Sequence, residues 1–484
     1  MKLNELLKNT EYDKIKINRD LEITSLCIKA EECKPGSAFF CIKGNKYNGG
    51  EFVNKAIKLG AVVIISENDV DNCTVAQIRV KNVRDALSAF CKNFYGNPQK
   101  KLRKIAVVGT NGKTSVCEMI SYLFNKSGIK CGTIGTLGAK YSNIEQETGF
   151  TTPDTPILYK ILADMVTCGV KVVCMELSAH AIYYRKANFK FDITVLTNCT
   201  PEHLDFFEDF ENYYATKINA FTAKNTKICV VNGDTLMGQE ISCLRKAGVI
   251  AYGIDDPVDV FAVDFIQDSN GCEFVMNLFD SIYNIKNKFV GKYNVYNMLA
   301  SATVCALCGV KTDFIAQGLN EMPLVSGRMQ QVCDSINVFV DYAHTPDALE
   351  QSLSTLREIK GEKRLICVFG CGGNRDRSKR ALMGEISAKL ADFTVITSDN
   401  PRFEDENDII SQIESGTRKI TSEYITIRDR SQAIEYAVQR SNKGDYILIA
   451  GKGSENYQEI MGTRKHFSDE ENAKKWIRNK YDRL

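Results

Sequence analysis

A chain of 484 residues, 25% charged and 44% hydrophobic, has room for about three ordinary domains, whose cores need no disulfide staples. Its 62 Lys+Arg stand against 60 Asp+Glu, a balance that argues against a general nucleic-acid binder but leaves room for a local anion pocket. No apolar run reaches the ~18 residues of a membrane span. The opening MKLNELLKNTEYDKIKINRD has no apolar stretch of the secretory kind, so the 18 cysteines are expected to be reduced thiols of a cytoplasmic protein.

Residues 37–43 (SAFFCIK) and 61–65 (AVVII) predict short buried strands around a helical stretch, EFVNKAIKLG. A polar linker, YGNPQKKLRK (95–104), follows. Next come a strand, IAVVG (105–109), a Gly-rich turn and a helix over VCEMISYLFNKSG. KVVCMEL (171–177), FDITVLTN (191–198) and KICVVNGD (227–234) each end an apolar run at polar residues, as parallel strands do when they deliver a site. Residues 258–290 look antiparallel and precede a helix at GKYNVYNMLASATVCALCG. The pattern restarts after PLVSGRM (323–329) with strands INVFVDYA, RLICVFG, DFTVITSD and DYILIAG, separated by helices. The whole predicts three α/β units, 1–100, 101–330 and 331–484. Cys305-x-x-Cys308 and Cys367-x3-Cys371 lack the paired spacing of a structural zinc site and read as small buried residues.

IAVVGTNGKTS sets Gly109-Thr110-Asn111-Gly112-Lys113-Thr114-Ser115 between a strand and a helix. Glycines allow backbone N–H groups to approach phosphate oxygens, and the helix start adds partial positive charge. Lys113 can reach the β- and γ-phosphates, and Thr114 can ligate Mg²⁺. The common phosphate-loop spacing wants glycine where Val107 stands, so this is a shorter variant, G-T-x-G-K-T. Glu176 ends an apolar run beside it and suits a Mg²⁺ that keeps waters and phosphates as its other ligands. His203, in TNCTPEHLDFF, is a usable ligand for a second cation. Lys217, in YYATKINAF, is not, because an ammonium only donates; on its own it reads as a surface helix residue.

GTNGKTS (109–115), GTLG (135–138), TTPDTP (151–156), MELSAHA (175–181), VVNGD (230–234), YNVYNMLAS (293–301), SGRM (326–329), VDYAHTPDAL (340–349), FGCGGNRDRSKR (369–380), DNPR (399–402) and GKGSE (451–455) occur in one order along nearly the whole chain. In this the chain resembles the Mur ligases, within them the branch that adds the third residue of the peptidoglycan stem peptide.

The resemblance implies three domains: one for the UDP end, a central P-loop ATPase built on a parallel sheet, and a C-terminal Rossmann-like domain for the amino acid. It implies ATP on Gly109 to Ser115, completed by Asn297, Arg328, Asp341 and His344. Mg²⁺ would sit on Thr114 and Glu176, and a second ion on His203 with Lys217 carbamylated, which turns the donor into a carboxylate-like ligand. Thr151, Thr152, Ser178 and Lys186 would hold UDP-N-acetylmuramoyl-dipeptide, and Lys113, Glu176, His203 and Lys217 would serve catalysis. The added residue would be meso-diaminopimelate, its distal carboxylate on Arg402 with Arg375, Asp399, Asn400 and Pro401 around it, and its distal ammonium at Gly451 and Glu455. The implied protein is a cytoplasmic monomer of peptidoglycan precursor synthesis.

Other readings stay open. Arg402 could pair with Glu404 or Asp405 instead. The uridine-binding stretch departs from the family, with Lys29-Ala30-Glu31 before Pro35-Gly36 and Asn48-Gly49-Gly50 later. Ala179 stands for a serine, Lys186 for an arginine and Ser454 for a histidine. These departures admit a paralogue that uses another acceptor or L-lysine, or a non-catalytic nucleotide-binding module.

Overall fold

The computed structural model describes residues 1–481 except 17–20, 45–46, 72, 246 and 334–335. Among the described residues three larger sheets follow one another along the chain, of five, eleven and six strands.

The first sheet runs Lys14–Lys16, Ala76–Arg79, Ala61–Ser66, Ser37–Phe40, Ser25–Cys27, antiparallel at the first pair and parallel elsewhere. In its strand Ser37–Phe40, Ala38 and Phe40 face the helix Val83–Phe94, while Phe39 faces the cluster under Val53–Lys58. That is the period of two expected of a strand buried on both faces.

In the eleven-stranded sheet, Arg103–Val108 lies between Val172–Glu176 and Phe191–Leu196, all parallel. The chain first crosses to Cys131–Gly135 and later returns with Val172–Glu176 into the gap, so the strand ends open a crevice at the point where the order reverses. Ile105 and Val107 bury against Lys113–Lys126 and Lys292–Leu307; Ala106 and Val108 bury against Thr155–Thr167 on the other face. The segment expected to be antiparallel is a meander, Val260–Asp268, Gly271–Leu278 and Ser281–Asn287. The linker prediction needs one correction. Arg103 and Lys104 already belong to the central strand, because Arg103 N–H bonds Lys171 O and Lys104 N–H bonds the Asp192 carboxylate.

The six-stranded sheet runs Gln330–Cys333, Asn337–Asp341, Tyr446–Ala450, Leu365–Phe369, Phe393–Ile396, Tyr424–Thr426, antiparallel only at its first pair. Arg430 and Asp469 are fully buried and bidentate, at 2.7 and 2.8 Å, and fix the last helix, Asp469–Tyr481, against it. A hairpin over Tyr457–Ile460 and Thr463–His466 was not anticipated from sequence. All 18 cysteines are free thiols, most of them buried, and no described helix is long and apolar enough to cross a membrane.

Candidate active site

The helix Lys113–Lys126 starts at Gly112, which sits at φ +84° and offers no side chain to cap it. The first-turn N–H groups therefore lack the usual side-chain cap, which is what an anion needs. A side chain at Gly112 would also meet Asn297 Oδ1 at 2.7 Å, so the glycine lets Asn297 close over the loop. The N–H groups of Thr110 and Asn111, expected to face phosphate, are instead bonded to Asn198 Oδ1 at 3.2 and 2.9 Å. They stiffen the loop; the helix start can supply donors to an anion. Lys113 folds back on the carbonyls of Gly109 and Thr110 at 2.8 and 2.7 Å. Ser115 lies buried in the first turn.

Glu176, buried at its strand end, accepts from Thr114 Oγ1 at 2.9 Å, and from the N–H and hydroxyl of Thr136 at 2.8 and 3.1 Å. Thr114 Oγ1 also accepts from Arg328 Nη2 at 2.9 Å. Hydroxyl and carboxylate converge beside the loop, and as hard oxygen donors they fit a Mg²⁺ that draws its remaining ligands from phosphates and water. Thr136, in the GTLG turn, was missed; its signal was only that turn.

Lys217 is not a surface residue: it is 1% exposed, with Nζ 2.8 Å from Thr110 Oγ1 and 4.2 Å from the Tyr213 ring centroid. Tyr213 and Lys217, four apart on Phe210–Asn219, are the residues of that helix turned inward. Burial lowers the Lys217 ammonium to about 7, and Lys113 pushes the same way. An unmodified Lys217 does not fit a cation; among the described residues no three His, Cys, Asp or Glu side chains gather as a metal cluster. Glu202, also missed, stands between His203 Nε2 at 3.6 Å and His344 Nε2 at 3.8 Å. Burial alone would raise its carboxyl, but His203, Lys113, His344 and Lys217 outweigh that and hold it at about 2.

Residues 151, 152 and 178 meet under Glu176. Thr152 Oγ1 donates to Glu176 O at 2.8 Å and lies 3.3 Å from Ser178 Oγ, and Thr151 Oγ1 is 3.2 Å from Thr136 Oγ1. Lys186 pairs with Asp154 at 2.7 Å and lies over the Phe150 ring. Ala179, in the place of a serine, packs with Phe207 and Tyr213. Asp341 accepts from the N–H groups of Met329 and Ala343 and from Ser352, so its carboxylate shapes the loop that carries Arg328.

Arg402 is 21% exposed at φ +54°. It donates to Gly373 O at 2.8 Å and lies 3.7 Å from Glu459. Neither of the expected rivals holds it: Glu404 is taken by Arg380 and Arg377, and Asp405 caps the helix Glu406–Thr417. Pro401 is buried and Arg375 is exposed, its Cγ close to Gly372 beside the Arg402 guanidinium. Lys452, fully buried and unanticipated, bonds Asn400 Oδ1 at 3.1 Å and Glu455 Oε2 at 3.2 Å and stands 3.7 Å from Asp399. Gly451 packs against Asp399. This cluster adjoins the Thr114–Arg328 side through Tyr342, which stacks under Arg328 at 4.2 Å and abuts Gly453.

Three family models cover the chain: Mur ligase family, catalytic domain, at 22–95; Mur ligase middle domain, at 107–305; and Mur ligase, glutamate ligase domain, at 327–453. UDP-N-acetylmuramoyl-L-alanyl-D-glutamate–2,6-diaminopimelate ligase 1 of Clostridium acetobutylicum is 38% identical, over 99% of both chains. The corresponding ligase of Syntrophomonas wolfei is 38% identical, over 99% of this chain and 100% of its own. A solved structure of a ligase of that name superposes with TM-score 0.70 at 27% identity, covering 99% of each chain. MurF of Thermotoga maritima in complex with ADP, at 20% identity and TM-score 0.65 over 96% of this chain and 100% of its own, shares the fold.

Proposed function

The chain belongs to the Mur ligase family, and we propose that it is the ATP-dependent ligase that joins meso-diaminopimelate to the D-glutamate carboxylate of UDP-N-acetylmuramoyl-L-alanyl-D-glutamate in the cytoplasm. One observation carries this reading beyond the relatives' names. The phosphate loop and the Asp399–Arg402 cluster lie on either side of Tyr342, so a phosphorylated carboxylate and an incoming amine can meet there.

The acceptor carboxylate attacks the γ-phosphorus of ATP, the bond to the β-phosphate breaks, and ADP leaves an acyl phosphate. The neutral amine of diaminopimelate then adds to the acyl carbon, and phosphate departs to leave the amide. Lys113, Arg328 and the first-turn N–H groups of Lys113–Lys126 stabilise the charge spread over the transferring oxygens. Thr114 and Glu176 would hold Mg²⁺, which when bound neutralises phosphate charge. The buried, easily deprotonated Lys217 suits capture of CO₂, which releases a proton and leaves a carbamate to act with His203 as a second ligand pair. Asn297, Asp341 and His344 complete the nucleotide site, and Thr151, Thr152, Ser178 and Lys186 hold the acceptor peptide. Residues 1–100, 101–330 and 331–484 work as three units, in a monomer.

A second reading, the same chemistry on another acceptor, is favoured by the first sheet's loops. Lys29 and Glu31, where the family has its uridine-binding residues, are exposed and paired with Glu32 and Lys55. Phosphate release from ATP, measured with a panel of UDP-muramoyl-peptides against diaminopimelate and lysine, separates the two. Release with no acceptor of the panel would defeat both.

A further inference from the structure

An open, basic depression of about 770 Å³ lies away from the phosphate loop, where the first and second sheets' units join. Arg103 and Lys104, at the start of the strand Arg103–Val108, form part of its wall, and Gly109 follows the other end of that strand. Six residues of strand separate the two by about 20 Å. Asp192 and Lys227, at the starts of neighbouring strands, add to the wall, as do Lys92 on the helix Val83–Phe94 and the linker after it.

The charge here is one-sided. Eight lysines and arginines line the cavity against a single acid, Asp192, in a chain whose totals are 62 cations and 60 anions. Asp192 is already committed, to Lys104 at 2.8 Å and Lys227 at 2.6 Å. Among the described residues Lys8, Lys92, Lys100, Lys101 and Lys190 have no ion-pair partner. Burial lowers the Lys92 ammonium and Lys100 adds to it, against the pull of Asp85. Unpaired like charges around a concave wall repel one another and focus a positive field into the space between them. A concave wall also suits a compact anion better than a planar membrane, which asks for a protruding basic face with apolar neighbours.

We propose that this cavity binds a soluble oligophosphate at a site separate from the nucleotide loop, and that the ligand clamps the first unit onto the central sheet. The proposal stands whatever reaction the phosphate loop serves. The test is calorimetric titration of the full chain with inorganic tripolyphosphate while ADP saturates the loop. One equivalent should bind, more weakly as salt rises. Lys100→Glu, Lys101→Glu and Lys190→Glu together change only exposed lysines outside any described ion pair. They should weaken binding about a hundredfold or more and leave ligation without tripolyphosphate unchanged. Should the reversal disturb the melting transition, the triple glutamine variant carries the same comparison with a loss of about tenfold. Three results would overturn the proposal: no binding beside ADP, equal binding by wild type and variants, or capture by phosphatidylglycerol vesicles without tripolyphosphate binding.

Discussion

Arg328 Nη2 lies 2.9 Å from Thr114 Oγ1, so the loop leading into the six-stranded sheet lays a guanidinium on the first turn of the phosphate-loop helix. Asn111 makes a second link across the same boundary, donating to Asp347 at 2.6 Å. A nucleotide on the loop would thus be contacted from two units at once, and removing either cation should slow phosphoryl transfer. Lys113→Ala should lower kcat by about 10²–10³, the usual loss of one preorganised donor on a charged transition state. Arg328→Lys should rescue Arg328→Ala poorly, since an ammonium cannot reach Thr114 and phosphate together as a planar fork does. Phosphate release under saturating ATP checks both, and a Lys113→Ala enzyme with wild-type kcat would sink the role.

The pH behaviour follows from Lys217. Its native value near 7 lies below the 10.5 of an ordinary lysine, so between pH 7 and 10.5 the unfolded chain binds the extra proton and stability rises with pH across that window. Carbamate formation needs the neutral amine and releases a proton, so it too gains as pH rises through about 7. Enzyme stripped of CO₂ should regain activity on adding bicarbonate, more fully at pH 8 than at pH 6.5. Lys217→Ala should lose activity and regain part of it with a short carboxylic acid. Full activity with an unmodified Lys217, measured by intact mass, would exclude the carbamate.

The buried pair Arg430–Asp469 predicts a stability result independent of catalysis. Arg430→Met leaves Asp469 fully buried without its counter-charge and should cost about 3–5 kcal/mol. Replacing both with apolar residues should recover much of that. Melting of the two variants side by side decides it; equal losses would mean that lost packing, not the stranded charge, sets the cost.

What the sequence made legible was local. Gly109–Ser115 and Glu176 sit where a strand ends, and the pattern of apolar run, turn and helix marks such places without tertiary knowledge. Glu202 was passed over for its neighbour His203, because its significance depends on His344, which only the fold brings to 3.8 Å. Lys217 misled because Phe210–Asn219 is polar enough to read as a surface helix, and only packing shows which face turns inward. Lys452 likewise looks like a loop cation until Asn400, Glu455 and Asp399 are seen around it. The short strands Tyr457–Ile460 and Thr463–His466 lack an alternating apolar face, so no period announces them.

Selection of the amino acid is predicted to rest on Arg402. Its guanidinium is only partly exposed and is held by Gly373 O, with Glu459 at 3.7 Å, so it is positioned but keeps capacity for a further carboxylate. Diaminopimelate brings that carboxylate; lysine does not, and leaves the guanidinium partly desolvated without it. With lysine the guanidinium keeps Glu459 but loses the second carboxylate, a charge-assisted contact of about 1.5–3 kcal/mol, or about 10- to 150-fold in selectivity. The distal ammonium, common to both amino acids, would meet Glu455, which Lys452 holds in place at 3.2 Å. Arg402→Ala should therefore lower kcat/KM for diaminopimelate far more than for lysine, whereas Lys452→Met should lower both alike. The measurement is kcat/KM for the two amino acids in wild type and both variants, with whichever acceptor supports turnover. A wild type that prefers lysine, or an Arg402→Ala enzyme that loses equally on both, would show that the guanidinium serves the loop's structure and not the substrate's carboxylate.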